Sequence, residues 1–106
     1  PAVTIFREYL RIPSVHPDPD YGGCVEFFKK QAEALGLPLF VYGTENKPVV
    51  VITWEGAKPE LPSIVFNSHM DVVPVYPEKW TYPPFSGHKT EDGKIYGRGS
   101  QDMKIL

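Results

Sequence analysis

The stretch Ser63-Ile64-Val65-Phe66-Asn67-Ser68-His69-Met70-Asp71 joins an apolar run to two residues of metal chemistry. Ile64, Val65 and Phe66 are continuously apolar, the pattern of a strand buried on both faces of a sheet. Residues 63–67 are therefore expected to form a strand, with His69 and Asp71 just past its end. In open α/β sheets, ligands gather beyond the carboxyl ends of strands. The pattern places polar chemistry at such an edge.

Reading outward, the segment before this strand has helical and then extended periodicity. Ala2 to Ile12 reads as a helix, with Val3, Phe6 and Leu10 recurring on one face and Pro13 ending it. A second helix is expected from Gly22 to Leu35. Asp20 is its candidate N-cap, and Gly36 with Pro38 closes it. Cys24, Val25, Phe28, Ala32 and Leu35 form its apolar stripe. Leu39 to Tyr42 and Val49 to Trp54 read as two short strands.

After Asp71 the chain runs through a proline-rich aromatic loop, residues 74–87, to a turn at 91–94 and a short strand at Ile95-Tyr96. A sharp Gly97-Arg98-Gly99-Ser100 loop follows, and a helix is expected to start around Gln101 to Met103. The order ααβββ-loop-β-α implies an α/β sandwich with a mixed, mainly parallel sheet. If the strands at 63–67 and 95–96 run parallel, His69, Asp71 and Asp102 meet at one sheet edge.

Composition narrows the function classes. The 106 residues carry a formal charge of -2 with scattered Lys and Arg, so no basic stripe points to nucleic acid. The apolar runs are too short to span a bilayer. A single cysteine, Cys24, fits a reducing compartment and favours the cytoplasm. Pro1 is not an initiating Met, and no capping signal follows Lys104-Ile105-Leu106. The chain reads as an excerpt of a longer protein.

His69-Met70-Asp71 has a physical logic as a metal motif. In extended backbone, residues two apart point to the same side. A neutral imidazole can give one nitrogen to a metal while its other N–H donates to a carboxylate. Two readings follow: His69 as ligand with Asp71 orienting it, or both as direct ligands. Taken alone, a histidine at a strand end is more often an ordinary hydrogen-bonded surface group. Asp102 taken alone reads as a helix N-cap.

The two segments together resemble a known pattern. Asn67-Ser68-His69-Met70-Asp71-Val72-Val73-Pro74 is followed, after the aromatic loop, by Ile95-Tyr96-Gly97-Arg98-Gly99-Ser100-Gln101-Asp102-Met103-Lys104. This is similar to the zinc metallopeptidase family that includes the aminoacylases, acetylornithine deacetylase, succinyl-diaminopimelate desuccinylase and bacterial glutamate carboxypeptidase. Phe6 to Ile12, Asp18-Pro19-Asp20-Tyr21, Thr53-Trp54 with Gly56, and Gln101 to Lys104 look most like the aminoacylase branch.

The resemblance implies that residues 1–106 are the N-terminal part of a catalytic zinc-binding domain. It implies two Zn2+ per complete site, with His69 a ligand of one zinc, Asp102 bridging both, and Asp71 acting in catalysis by orienting His69. It also implies a cis peptide after Asp102. The expected activity is hydrolysis of N-acyl-L-amino acids to a carboxylate and a free L-amino acid, in a homodimeric protein. Acetylornithine deacetylase-like or dipeptidase activity is the alternative within the class, and a non-catalytic binding relative the alternative outside it. The family's general base is the first of two adjacent glutamates, and no Glu-Glu pair occurs here. The remaining ligands have no matching positions either, so the chain alone is expected to be inactive.

The other polar and aromatic residues receive plainer readings. His16, in a proline loop, and His88, before a turn, read as solvated. Trp80, Tyr82 and Phe85 are expected to pin their loop onto the core more than to line a pocket. Arg98 reads as a structural salt-bridge residue and Cys24 as core.

Overall fold

The computed structural model describes residues 1–102. The helix start near Met103 and the peptide bond after Asp102 lie outside the described residues.

Helix α1 spans Ala2–Leu10 and α2 spans Gly22–Leu35. The first helix tightens at its end, where the Arg11 and Ile12 N–H groups donate three residues back, to Glu8 and Tyr9. Pro13 has no N–H with which to continue. Helix α2 begins where Asp20 Oδ1 accepts the Gly22 N–H at 2.9 Å. Its end is a left-handed Gly36, φ 67°, with the Leu37 N–H reaching back to the Ala32 carbonyl. The glycine end is as expected, but the N-cap position falls on Tyr21 and not on Asp20, whose carboxylate reaches the Gly22 N–H from one residue further out.

Strands β1 (Leu39–Thr44) and β2 (Lys47–Ile52) form an antiparallel hairpin, Leu39 opposite Ile52 and Thr44 opposite Lys47. Gly43 sits near its tip at φ 84°, and a Cβ there would lie 2.3 Å from the Lys47 carbonyl oxygen. Only glycine fits that approach. Strands β3 (His88–Lys89) and β4 (Ile95–Tyr96) pair antiparallel across the 91–94 turn.

The core is small. Tyr9, Cys24 and Val72 are buried together, with Ile12, Val15, Phe27, Phe28, Met70 and Phe85 packed against them. Tyr9 stacks on Phe27 at 4.9 Å and meets Phe28 edge-on. The stripe of α2 is as expected at Cys24, Val25, Phe28 and Ala32; it gains the half-buried Phe27 and loses Leu35, which is 70% exposed. Helix α1 also closes on the second motif, because fully buried Leu10 lies against Gly97.

Two expectations are corrected. Residues 63–67 form no strand, and Ile64, Val65 and Phe66 are 85%, 82% and 80% exposed. A strand buried on both faces needs neighbours to take its N–H and C=O groups. Among the described residues nothing pairs with it. The sheet pairing also differs: among the described residues the paired strands are two small antiparallel hairpins. The parallel element is a single bridge between Val15 and Val72.

That bridge fastens the loop after α1 to the segment that follows His69. The Val72 N–H donates to the Ser14 carbonyl at 2.8 Å, and the His16 N–H donates to the Val72 carbonyl at 3.1 Å. The fully buried Ser14 hydroxyl donates to the Met70 carbonyl at 2.5 Å. No helix among the described residues is long and apolar enough to cross a membrane. Ser14→Ala is expected to lower stability by about 1–3 kcal/mol, since it leaves a buried carbonyl without this donor. Urea denaturation checks this, and an unchanged midpoint would show that the bond contributes nothing.

Candidate functional site

The backbone alternates through His69, Met70 and Asp71. Met70 turns into the core, and His69 and Asp71 turn outward on the same side. The His69 Nδ1–H then donates to Asp71 Oδ1 at 2.7 Å. With Nδ1 engaged, the His69 lone pair lies on Nε2. That nitrogen stands 3.5 Å from Asp102 Oδ2.

Asp102 reaches this position through a turn and not through parallel strands. Gly97 packs on Leu10, Gly99 adopts φ 90°, and the Asp102 N–H donates to the Gly99 carbonyl. The chain folds back over residues 97–102 and delivers the carboxylate to His69. The three residues singled out in the sequence are thus brought together, by different elements from those expected.

The spacing is that of a loose ion pair and is also one that a shared metal would allow. At 3.5 Å, the Nε2 to Oδ2 separation exceeds the ordinary hydrogen-bond range of about 2.7–3.2 Å. Two ligands about 2.0–2.2 Å from a tetrahedral zinc stand roughly 3.3–3.5 Å apart. His nitrogen and carboxylate oxygen are both ordinary zinc donors. The Asp102 side chain is 80% exposed, so its second oxygen is open to solvent. Two groups do not complete a site: no cluster of three or more His, Cys, Asp or Glu able to hold a metal occurs among the described residues.

A fourth residue joins the group. The His16 Nε2–H donates to Asp71 Oδ2 at 2.6 Å. The reading of His16 as a solvated loop residue is therefore corrected. It lies 55 positions from Asp71, and no local pattern marks it. It arrives because the Val15–Val72 bridge lays its segment beside the motif.

These contacts shift both ionisable partners. The hydrogen bond from His16 does most to lower the Asp71 pKa below its ordinary value of 3.8; partial burial opposes it, and the His69 hydrogen bond reinforces it. The hydrogen bond to Asp71 does most to raise His69 above 6.5, against slight desolvation, with the Asp71 and Asp102 charges adding to the rise.

The remaining polar and aromatic residues serve packing. His88 is stacked on Tyr82 at 3.8 Å and is not simply solvated; Tyr82 in turn meets Tyr96 edge-on. The Arg98 guanidinium lies 5.0 Å over the Trp80 ring, and no salt bridge to it is found among the described residues. Its expected ion pair is replaced by a cation–π contact. Phe85 packs on the core, while Arg7 and Arg11 donate to the Gly87 and Ser86 carbonyls. The aromatic loop is pinned down, as its composition suggested.

Comparison with known proteins bears on this arrangement. Residues 65–106, which contain both motifs, match peptidase family M20/M25/M40. Aminoacylase-1 is similar to the chain from end to end. The Sus scrofa protein is 53% identical over 107 positions and the Homo sapiens protein 51%, each covering all of this chain. Succinyl-diaminopimelate desuccinylase of Hydrogenovibrio crunogenus is 38% identical over 96% of the chain. The chain spans about a quarter of the length of these relatives. The M20 family is metal-dependent and has an α/β fold, and the chain is similar to aminoacylase-1 at about half identity.

The pKa directions define a pH window for the metal-free protein. A lowered Asp71 adds stability that is complete above 3.8 and is lost as pH falls through its folded value. A raised His69 adds stability that is complete below 6.5 and is lost as pH rises through its folded value. The difference in denaturation midpoint between the native chain and Asp71→Asn should therefore be greatest between 3.8 and 6.5 and shrink on either side. Because both groups face solvent, the difference should also shrink with added salt. A pH-independent difference would show that the ion pairing is not its source.

Proposed function

We propose that the chain is the N-terminal part of the catalytic zinc domain of an N-acyl-L-amino-acid amidohydrolase. End-to-end similarity to aminoacylase-1 at about half identity carries this reading. The placement of His69 Nε2 opposite Asp102 Oδ2 supports it.

In this reading His69, through Nε2, would be a ligand of one zinc, and the Asp102 carboxylate would be shared between two. Asp71 accepts the Nδ1–H of His69, which fixes the tautomer, aims the ring and raises the basicity of Nε2. Zinc held there would supply Lewis acidity towards a water and the scissile carbonyl. Residues of this chain hold and aim ligands. The proton transfer also needs a carboxylate base, and the remaining ligands must come from the rest of the domain. The substrate is an N-acyl-L-amino acid, the products are a carboxylate and a free L-amino acid, and the full-length protein is a cytoplasmic homodimer.

The test uses the full-length protein. It should bind zinc and hydrolyse N-acetyl-methionine, while residues 1–106 alone should be inactive. Asp102→Ala should lower zinc affinity and rate by at least about 100-fold, more than the loss of an outer partner of a ligand. Zinc content is read by elemental analysis and the rate by release of free amino acid. An Asp102→Ala protein with unchanged zinc and rate would remove the bridging role.

A further inference from the structure

Asp71 is held from two sides. Oδ1 accepts from His69 Nδ1 at 2.7 Å, and Oδ2 accepts from His16 Nε2 at 2.6 Å. A carboxylate with one partner can still rotate about its terminal torsion, which is broad and roughly two-fold. A second donor on the other oxygen stops that rotation. Both distances are short, as expected for bonds to an ionised acceptor.

The position of His16 does not depend on its ring. Its backbone N–H is bonded to the Val72 carbonyl, its neighbour Val15 bridges Val72, and Ser14 is bonded to both Met70 and Val72. The segment 14–16 is therefore registered against 70–72 by main-chain and buried hydroxyl bonds. The imidazole itself is 44% exposed and contributes little to the core. Removing a half-exposed ring leaves those bonds intact, so its role can be separated from the fold.

We propose that His16 is a positioning residue for the His69–Asp71 pair: its imidazole fixes the Asp71 carboxylate so that Oδ1 stays on His69 Nδ1 and His69 Nε2 stays turned towards Asp102. The catalytic consequence rests on the reading of His69 as a zinc ligand. The geometric consequence does not.

The experiment compares full-length wild type, His16→Leu and His16→Gln. A Gln amide nitrogen reaches about as far as imidazole Nε2 and keeps an N–H donor, and Leu keeps bulk without it. In zinc-stripped protein labelled with 15N-histidine, at a pH that keeps the rings neutral, His69 should be a single Nδ1–H tautomer in wild type and His16→Gln. It should become a tautomer mixture in His16→Leu. Zinc affinity, read by chelator competition, should fall about tenfold in His16→Leu, the low end of the range for partners of a ligand, and recover most of that in His16→Gln. The turnover kcat for N-acetyl-methionine should fall about tenfold in His16→Leu with KM changed less than about twofold, because positioning acts on the reaction and not on substrate binding.

A His16→Leu protein with the wild-type His69 tautomer and zinc affinity would overturn the proposal. So would a His16→Gln protein that is as impaired as His16→Leu while melting at the wild-type temperature. If wild type neither binds zinc nor hydrolyses the substrate, the functional reading fails, and the tautomer comparison still decides the role of His16.

Discussion

Three residues of main chain, Ser14 to His16, hold the site in place. They run parallel to Met70–Val72 and exchange bonds with them at Ser14 and His16, with Val15 opposite Val72. The two stretches lie far apart in sequence, so the bonds between them close a long loop at considerable entropic cost. That closure is offset by the apolar groups gathered beneath it. Val72, Met70 and Val15 pack with Tyr9, Cys24 and the α2 aromatics. The same contact orients His69 and Asp71 outward, because Met70 between them is drawn in.

Once Met70 is inside, the polar geometry follows from backbone alternation. His69 and Asp71 must share a side, and an imidazole two residues from a carboxylate falls within hydrogen-bond reach. The second motif is held by a different contact, Gly97 on Leu10, with the left-handed Gly99 turning the chain back. Helix α1 thus supports both halves of the site: its end carries the strap at 14–16, and its buried Leu10 seats the 97–102 turn. Charge is arranged consistently with this. Asp71 is surrounded by two imidazole donors and stays ionised; His69 has a carboxylate near each nitrogen and gains basicity.

Local signals were legible wherever they sufficed. The bounds of α2 and its glycine end depend on residues within a turn of one another. The presence of β1 and β2 was read from their β-branched and aromatic residues, though not their antiparallel pairing. Reading failed where the answer depended on distant partners. The apolar run 63–67 carries the composition of a buried strand, yet strand structure requires neighbours that no described residue supplies. The expected stripe of α2 is buried at Cys24 and Ala32 and half-buried at Phe28, but Leu35 is exposed and Phe27 is added to the face by stacking on Tyr9, from another helix. His16 carried no signal, since its partner lies 55 residues away.

The sequence by itself determined the helices, the turns and the chemistry of the two motifs, because those depend on residue type, spacing and near neighbours. His69, Asp71 and Asp102 stood out by the order of their two motifs and by resemblance to a metal-dependent family. Only the tertiary structure decided how they meet. It replaced a pair of parallel strands with a strap and a glycine turn, and it added His16 to the group. The physical reason is range: a cap or a glycine turn is settled by bonds within a few residues, whereas a carboxylate shared by two imidazoles is settled by which distant backbones pair.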